Sequence, residues 1–150
     1  VQRERQLISR RRAVESDRLF LEDVHVSALG PVALVGYGWV AERLRQQFHR
    51  EIELANCEII EVDARRAGYI SIEDRGAFWY IDAIALAPKY QRKGVGSAAL
   101  RDLLTSTGRV PVRLSVLLVN RARTLYHRLG FVVIGNDGRR ELMEYRAPAP

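Results

Sequence analysis

The most constraining feature of the chain is the segment Gln91-Arg92-Lys93-Gly94-Val95-Gly96, set between an apolar, aromatic run and an amphipathic helix pattern. Phe78-Trp79-Tyr80-Ile81-Asp82-Ala83-Ile84-Ala85-Leu86 reads as a strand that Pro88 stops. From Gly94 to Leu104, Val95, Ala99, Leu100, Leu103 and Leu104 recur on one helical face. A strand entering a helix through a turn with two glycines leaves unpartnered backbone N–H groups at the helix N-terminus, which suits an anion. Gly94 and Gly96 let a phosphate approach the backbone without meeting a Cβ, and Arg92, Lys93 and the nearby Lys89 add full positive charges. The group reads as a pyrophosphate cradle. It lacks the Lys-Ser or Lys-Thr of a P-loop and the third glycine of a dinucleotide fingerprint.

Around this segment the chain reads as one fold. Leu7 to Ala13 is a short first strand, and a first helix follows Asp17, a good N-cap, with Leu19, Phe20, Val24 and Leu29 at helical spacing. Gly30 to Gly38 carries breakers at Gly30, Pro31, Gly36 and Gly38 and predicts a mobile apolar loop. Val40, Leu44, Phe48 and Ile52 then recur every four residues, an amphipathic second helix. Glu58–Val62, Gly68–Ile72 and Phe78–Leu86 are three antiparallel strands joined by short spacers. Beyond the third helix lie a strand from Val112 to Val119, a helix from Arg121 to Leu129, and a closing hairpin of Phe131–Ile134 and Glu141–Tyr145. The order is βααβββαβαββ, a mixed α/β arrangement with helices on the faces of the sheet. At 150 residues the expectation is one domain over residues 1–146 with a short flexible tail at 147–150, Ala-Pro-Ala-Pro.

Composition narrows the functional classes. Hydrophobic residues make up 47% and charged residues 28%, ordinary for a globular chain. One cysteine, Cys57, cannot form an intramolecular disulfide, and three histidines without ligand spacing argue against a metal site. The apolar stretch from Ala28 to Val40 is interrupted, so no transmembrane helix and no signal segment are expected and the location is read as cytoplasmic. The net charge is +6 and 22 of the 24 basic residues are arginine, which favours anionic partners without naming one.

A second motif, Asn120-Arg121-Ala122-Arg123-Thr124-Leu125-Tyr126-His127-Arg128-Leu129-Gly130-Phe131, is a helix that Asn120 can cap and Gly130 can end. Together the strand, the Gln-X-X-Gly-X-Gly turn, the helix, the next strand and this Asn-X-X-Ala-X-X-Leu-Tyr helix resemble the GNAT superfamily of acyl-CoA-dependent N-acyltransferases. The resemblance is close from Tyr80 to Phe131, and the element order upstream fits it too. It implies a central mixed, mostly antiparallel sheet of about seven strands with four helices. It also implies acetyl-CoA as acyl donor and a primary amine as acceptor, attacked directly without a covalent enzyme intermediate.

Carried over residue by residue, the resemblance assigns the CoA pyrophosphate to the backbone of Gln91, Arg92, Lys93, Gly94, Val95 and Gly96. The pantetheine arm falls to Ile84, Ala85 and Leu86, as though the donor were another strand. The Leu86 N–H would polarise the thioester carbonyl, Asn120 would contact the pantetheine arm, and Tyr126 would protonate the departing thiolate. Asp82, on one face of its strand with Tyr80, is the candidate general base, directly or through a water. Asp82 paired to an arginine, and Tyr126 as a core aromatic, are the plain alternatives. Glu58 and Glu61 are weaker candidates, and His25 reads as a satisfied packing residue. Acceptor selection would come from Leu34–Trp39 and from the hairpin Ile134–Arg140, whose Asn136-Asp137-Gly138-Arg139-Arg140 run reads as an exposed tip. The apolar, aromatic first segment suggests a small or hydrophobic acceptor.

Two other readings stand beside this one. The first is a non-catalytic acyl-CoA-binding or sensing domain. The second is a nucleic-acid surface, disfavoured because the basic residues are spread rather than gathered in a stripe. Neither nucleic acid nor membrane is expected as a partner, and a homodimer is possible.

Overall fold

The structure, a computed structural model, describes residues 6–150. Seven strands form one sheet in the order β1-β2-β3-β4-β5-β7-β6. They are β1 (Ile8–Arg12), β2 (Cys57–Val62), β3 (Arg65–Asp74), β4 (Trp79–Leu86), β5 (Val112–Leu117), β6 (Val132–Asn136) and β7 (Arg140–Tyr145). The helices are α1 (Arg18–Tyr37), α2 (Ala41–Glu51), α3 (Val95–Ser106) and α4 (Ala122–Leu129). The element order and the seven-strand, mostly antiparallel sheet agree with the sequence reading.

Both faces are covered. On one, Val95, Ala99, Leu100, Leu103 and Leu104 of α3, with Tyr126 and Phe131, pack on Ile60, Ile70, Ile81, Val112 and Leu114. On the other, Leu21 and Val24 of α1 and Phe48 of α2 pack on Cys57, Ile59, Tyr69 and Ala85. The β2–β3 turn is tighter than its four-residue spacer suggests. Asp63 and Ala64 both take positive φ (51° and 66°), the twist that matches a two-residue hairpin.

The central pair differs from the rest of the sheet. β4 and β5 run parallel and are joined only at Trp79↔Val112, Tyr80↔Arg113 and Ile81↔Leu114. Beyond Ile81 the two strands part, leaving β4 from Asp82 to Leu86 without a neighbour on that side. The β3–β4 register slips at the same point, from Ile72↔Ile81 to Ser71↔Ala83, so Asp82 is an extra residue in β4. The bulge turns Ile84 and Leu86 toward the α3–α4 core while Ala83 and Ala85 face α1 and α2.

Gly30 to Gly38 is not the loop its breakers suggest. α1 runs unbroken through Gly30, Pro31 and Gly36 to Tyr37, and only Gly38, at φ 69°, ends it. The breakers cost helix propensity, but tertiary packing outweighs them. A Cβ at Gly36 would come within 2.7 Å of Leu117 Cδ1, so this glycine is where the helix lies against β5. The helix is consequently long and apolar enough to cross a membrane by length and composition, which the interrupted sequence pattern had argued against. Here it lies on the sheet through Leu21, Val24, His25 and Ala33.

Asp17 also departs from its expected role. It ends a short 3₁₀ turn, and its buried carboxylate does not cap α1. Instead it accepts the Val14 N–H at 2.9 Å and pairs with Arg11 at 2.7 Å and Arg66 at 3.4 Å. The Arg11 guanidinium holds this carboxyl well below the usual range.

Candidate active site

The divergence of β4 and β5 opens a cleft of about 200 Å³. Asp82 and Ile84 of β4, Ser115 and Leu117 of β5, Asn120, Tyr126 of α4 and Arg140 of β7 line it. From the other side come His25 and Tyr37 of α1, Trp39, and Gln47 and Glu51 of α2. Four predicted residues, Asp82, Ile84, Asn120 and Tyr126, are thus brought to one cavity. Ala85 is not among its lining residues: it is buried under α1 and α2, and only its backbone is open to a ligand.

At the far end of β4 lies the turn read from the sequence as an anion cradle, leading into α3. The Ala87 N–H donates to the Ala67 carbonyl on β3 at 2.8 Å. Strand alternation therefore points the N–H groups of Ile84 and Leu86 away from β3, into the gap that β5 has left. The Leu86 carbonyl on that side is already taken, by the Gln91 side-chain amide at 2.8 Å, which ties the turn to the end of the strand. In the turn, Arg92 at φ 60° and Gly94 at φ 80° are both left-handed, so the peptide planes fold into a concave row ahead of α3. A Cβ on Gly94 meets nothing within 4 Å, and one on Gly96 comes only to 3.4 Å from Leu86 Cδ1. The space in front of Gly94 is open, whereas a Cβ on the buried Gly96 would make ordinary contacts with Leu86 and Leu125. Lys89 lies beside this turn with its Nζ 5.4 Å from the Tyr90 ring.

Tyr126 is held by ring packing on Phe131 at 5.8 Å. Its hydroxyl takes no hydrogen bond from the described residues, and burial pushes its pKa up to about 12. It is therefore both a core aromatic and a phenol at the cleft wall. Asn120 accepts the Ala122 N–H at 2.9 Å, the cap that starts α4. Asp82 makes no ion pair among the described residues. Burial first, then the neighbouring Glu73 carboxylate, raise its pKa to about 6, against the lowering effect of Arg75.

The remaining candidates have structural tasks. Glu58 pairs with Arg10 at 2.7 Å and Glu61 with Arg11 at 3.1 Å. His25 is fully buried, with Nδ1 at 2.5 Å from the Tyr69 hydroxyl and Nε2 at 2.9 Å from Gln47 Oε1, and burial lowers its pKa. Its ring still forms part of the cleft wall. The Cys57 thiol is buried, donates to the Glu53 carbonyl at 3.3 Å and is pushed up to about 11, the environment of an unreactive thiol.

Sequence reasoning missed three features of this site. It gave no sign of the bulge at Asp82 or of the acidic Glu51 in the cleft. It also took Arg140 for part of an exposed hairpin tip. Only Asp137–Arg139 form that tip, and Arg140 opens β7 opposite Leu117 with its side chain turned into the cleft. No local pattern marks Arg140, because its position follows from the register of β5 against β7.

A family model described as the acetyltransferase (GNAT) domain matches residues 34–145. The chain belongs to the GNAT acetyltransferase family. As a GNAT protein it is an N-acetyltransferase by class. Solved structures share the fold at low identity. A PaiA N-acetyltransferase from Thermoplasma acidophilum, in complex with coenzyme A, superposes with TM-score 0.75 at 19% identity, over 94% of this chain and 99% of that one. An N-acetyltransferase from Staphylococcus aureus gives 0.70 at 18% identity, over 91% and 100%. An acetyltransferase from Thermus thermophilus gives 0.71 at 14% identity, over 93% and 97%. No curated relative matches the chain.

Proposed function

We propose that this GNAT protein transfers the acetyl group of acetyl-CoA to the amine of a small acceptor by direct attack. The observation that carries the reading is the pairing of an open, left-handed turn at the α3 N-terminus with the divergent edge of β4. The first suits a pyrophosphate, and the second offers free backbone groups to an extended pantetheine arm. That the Thermoplasma acidophilum relative was solved with coenzyme A supports the same choice of donor.

In this reading the backbone of Gln91 to Gly96 holds the pyrophosphate, while Ile84, Ala85 and Leu86 align the pantetheine arm and Asn120 steadies it. The Leu86 N–H stabilises the developing oxyanion. Asp82, directly or through a water, takes the proton from the acceptor ammonium, and the freed lone pair attacks the thioester carbonyl carbon. The N–C bond forms, the C–S bond breaks, the CoA thiolate receives its proton from Tyr126, and the second proton that the nitrogen loses as the amide forms restores the Tyr126 phenol through water. A phenol held at about 12 stays protonated at neutral pH and can donate to a thiolate whose conjugate acid lies near ~8.5. Cys57, inert and buried under α1 and α2, supports attack without an acyl-enzyme.

Calorimetric titration of acetyl-CoA, with Gly96→Glu alongside, tests the donor site. Gly96 is buried, with Leu86 and Leu125 at 3.4 and 3.9 Å from a Cβ there, so the melting temperature of the variant without ligand is measured alongside to show that it folds with the added negative charge in the first turn of α3. Binding by the unsubstituted protein and none by the variant is the expected result. Equal binding by both would remove the cradle from the mechanism. No binding by either would leave the fold without this donor.

A further inference from the structure

The mechanism above leaves two charged residues of the cleft, Glu51 and Arg140, without a task. Arg140 opens β7, lies half-buried, and has its guanidinium 5.9 Å from the Tyr37 ring centroid. Its Nη2 reaches the Ser115 carbonyl at 3.4 Å, and its buried Nε has no hydrogen-bond partner. Two nearby arginines, Arg113 of β5 and Arg123 of α4, are neutralised. Arg113 pairs with Glu144 at 2.8 Å, and Arg123 pairs with Glu141. Arg140 forms no ion pair among the described residues. The Asp137 carboxylate, which acts on it only at longer range, is spent on the backbone N–H groups of Arg139 and Arg140 at 2.9 and 2.7 Å.

A guanidinium partly removed from water, with donors left over, is costly unless something pairs with it. The cleft is where that partner can come from. On the amine side the same cavity carries the Asp82 and Glu51 carboxylates. It therefore presents negative charge for an ammonium and one fork-shaped cation for an anion. Arg139 lies 5.5 Å from the same Tyr37 ring but is exposed and outside the cleft lining, so one guanidinium is available within the cleft, which matches a carboxylate better than a doubly charged phosphate.

We propose that Arg140 binds the carboxylate of the acceptor, so that the acceptor is a free amino acid or a similarly small amine bearing a carboxylate. Tyr37 and Trp39, stacked at 4.8 Å on the neighbouring wall, would cover the acceptor's apolar body. This rests on the acyl-transfer reading for the chemistry, but the anion subsite can be measured without turnover.

The test pairs each common amino acid with its amide and its decarboxylated amine, and follows release of the CoA thiol from acetyl-CoA. The expected result is that at least one amino acid exceeds its amide and decarboxylated partner tenfold or more in kcat/KM. In Arg140→Met that ratio should collapse toward one, mainly through KM, and Arg140→Lys should recover part of it. The melting temperature without ligand reports that the variants are folded. Amides or decarboxylated amines turned over as well as the amino acids would overturn the proposal, as would a carboxylate preference that survives Arg140→Met.

Calorimetry of the same compounds on the protein with coenzyme A separates the two readings. Carboxylate-dependent binding lost in Arg140→Met, with no turnover of any amine, upholds the subsite and sinks acyl transfer to these acceptors. Neither turnover nor binding overturns the proposal.

Discussion

Asp82 is an aspartate that burial and Glu73 hold at about 6, and this gives opposite signs to activity and stability. As the base it must be ionised, so kcat/KM should rise through pH about 6 and level off above it. For stability the folded chain keeps a proton that the unfolded chain, near an ordinary carboxylate value of 3.8, has already lost. Between those two values the unfolded state binds fewer protons, so stability falls as pH rises, and the penalty persists above pH 6. Asp82→Asn should therefore lose kcat by about 10²-fold or more and lose the acidic limb. Above pH 6 it should melt higher than the unsubstituted protein, and below pH 4 the two melting temperatures should converge. Retention of the limb in the variant would assign the proton to another group. This residue was legible in the sequence as a carboxylate facing Tyr80's side of the strand. Its raised pKa was not, because Glu73 becomes its neighbour only through the β3–β4 register.

Among the elements, the β3–β4 pairing decides how the donor edge is shaped, and Gly68 controls it. A Cβ on Gly68 would overlap the Ala85 carbonyl oxygen and fall 2.9 Å from the Leu86 Cα, both backbone atoms with little room to yield. Gly68→Ala should destabilise by about 1–3 kcal/mol, the usual cost of overpacking. It should also weaken coenzyme A binding, because Ala85 and Leu86 are the residues displaced. Denaturant unfolding and calorimetry on one preparation check both halves. A change in stability with no change in affinity would separate β4's position from donor binding. The sequence marked β4, the Gln-X-X-Gly-X-Gly turn and α3 well, since each has a local signature in periodicity, glycine or proline. It misplaced α1's end because Gly36 serves a contact with Leu117, some 80 residues away, rather than a turn. Arg140 was misjudged for the same kind of reason, its role depending on a strand register that no local pattern encodes.

On the scale of the whole molecule, the sheet is two halves, β1–β4 and β5–β7, joined by three residue pairs of one parallel rung. The α3–α4 core spans both halves on one face, with the paired Ile81 and Leu114 in one cluster with Leu103 and Tyr126. On the other face α1 bridges them, through Val24 over β4's side and Gly36 over Leu117. The gap between the halves is thus kept open by covered faces rather than by an edge exposed to solvent, and a donor lying in it would complete the missing ladder along Ile84 to Leu86. Acetyl-CoA at 100 times its dissociation constant should add about 2.7 kcal/mol, a rise in melting temperature of roughly 5–10 °C for a chain of this size. If the gain comes from closing the ladder, hydrogen exchange at the Ile84 and Leu86 amides, which point into the gap, should slow on binding. The Ala85 and Ala87 amides, directed to β3, should change less. Gly96→Glu should abolish the thermal and the exchange effects together. A thermal gain with no protection at Ile84 or Leu86 would mean that the pyrophosphate alone is gripped, leaving the strand-like seat of the pantetheine arm without support.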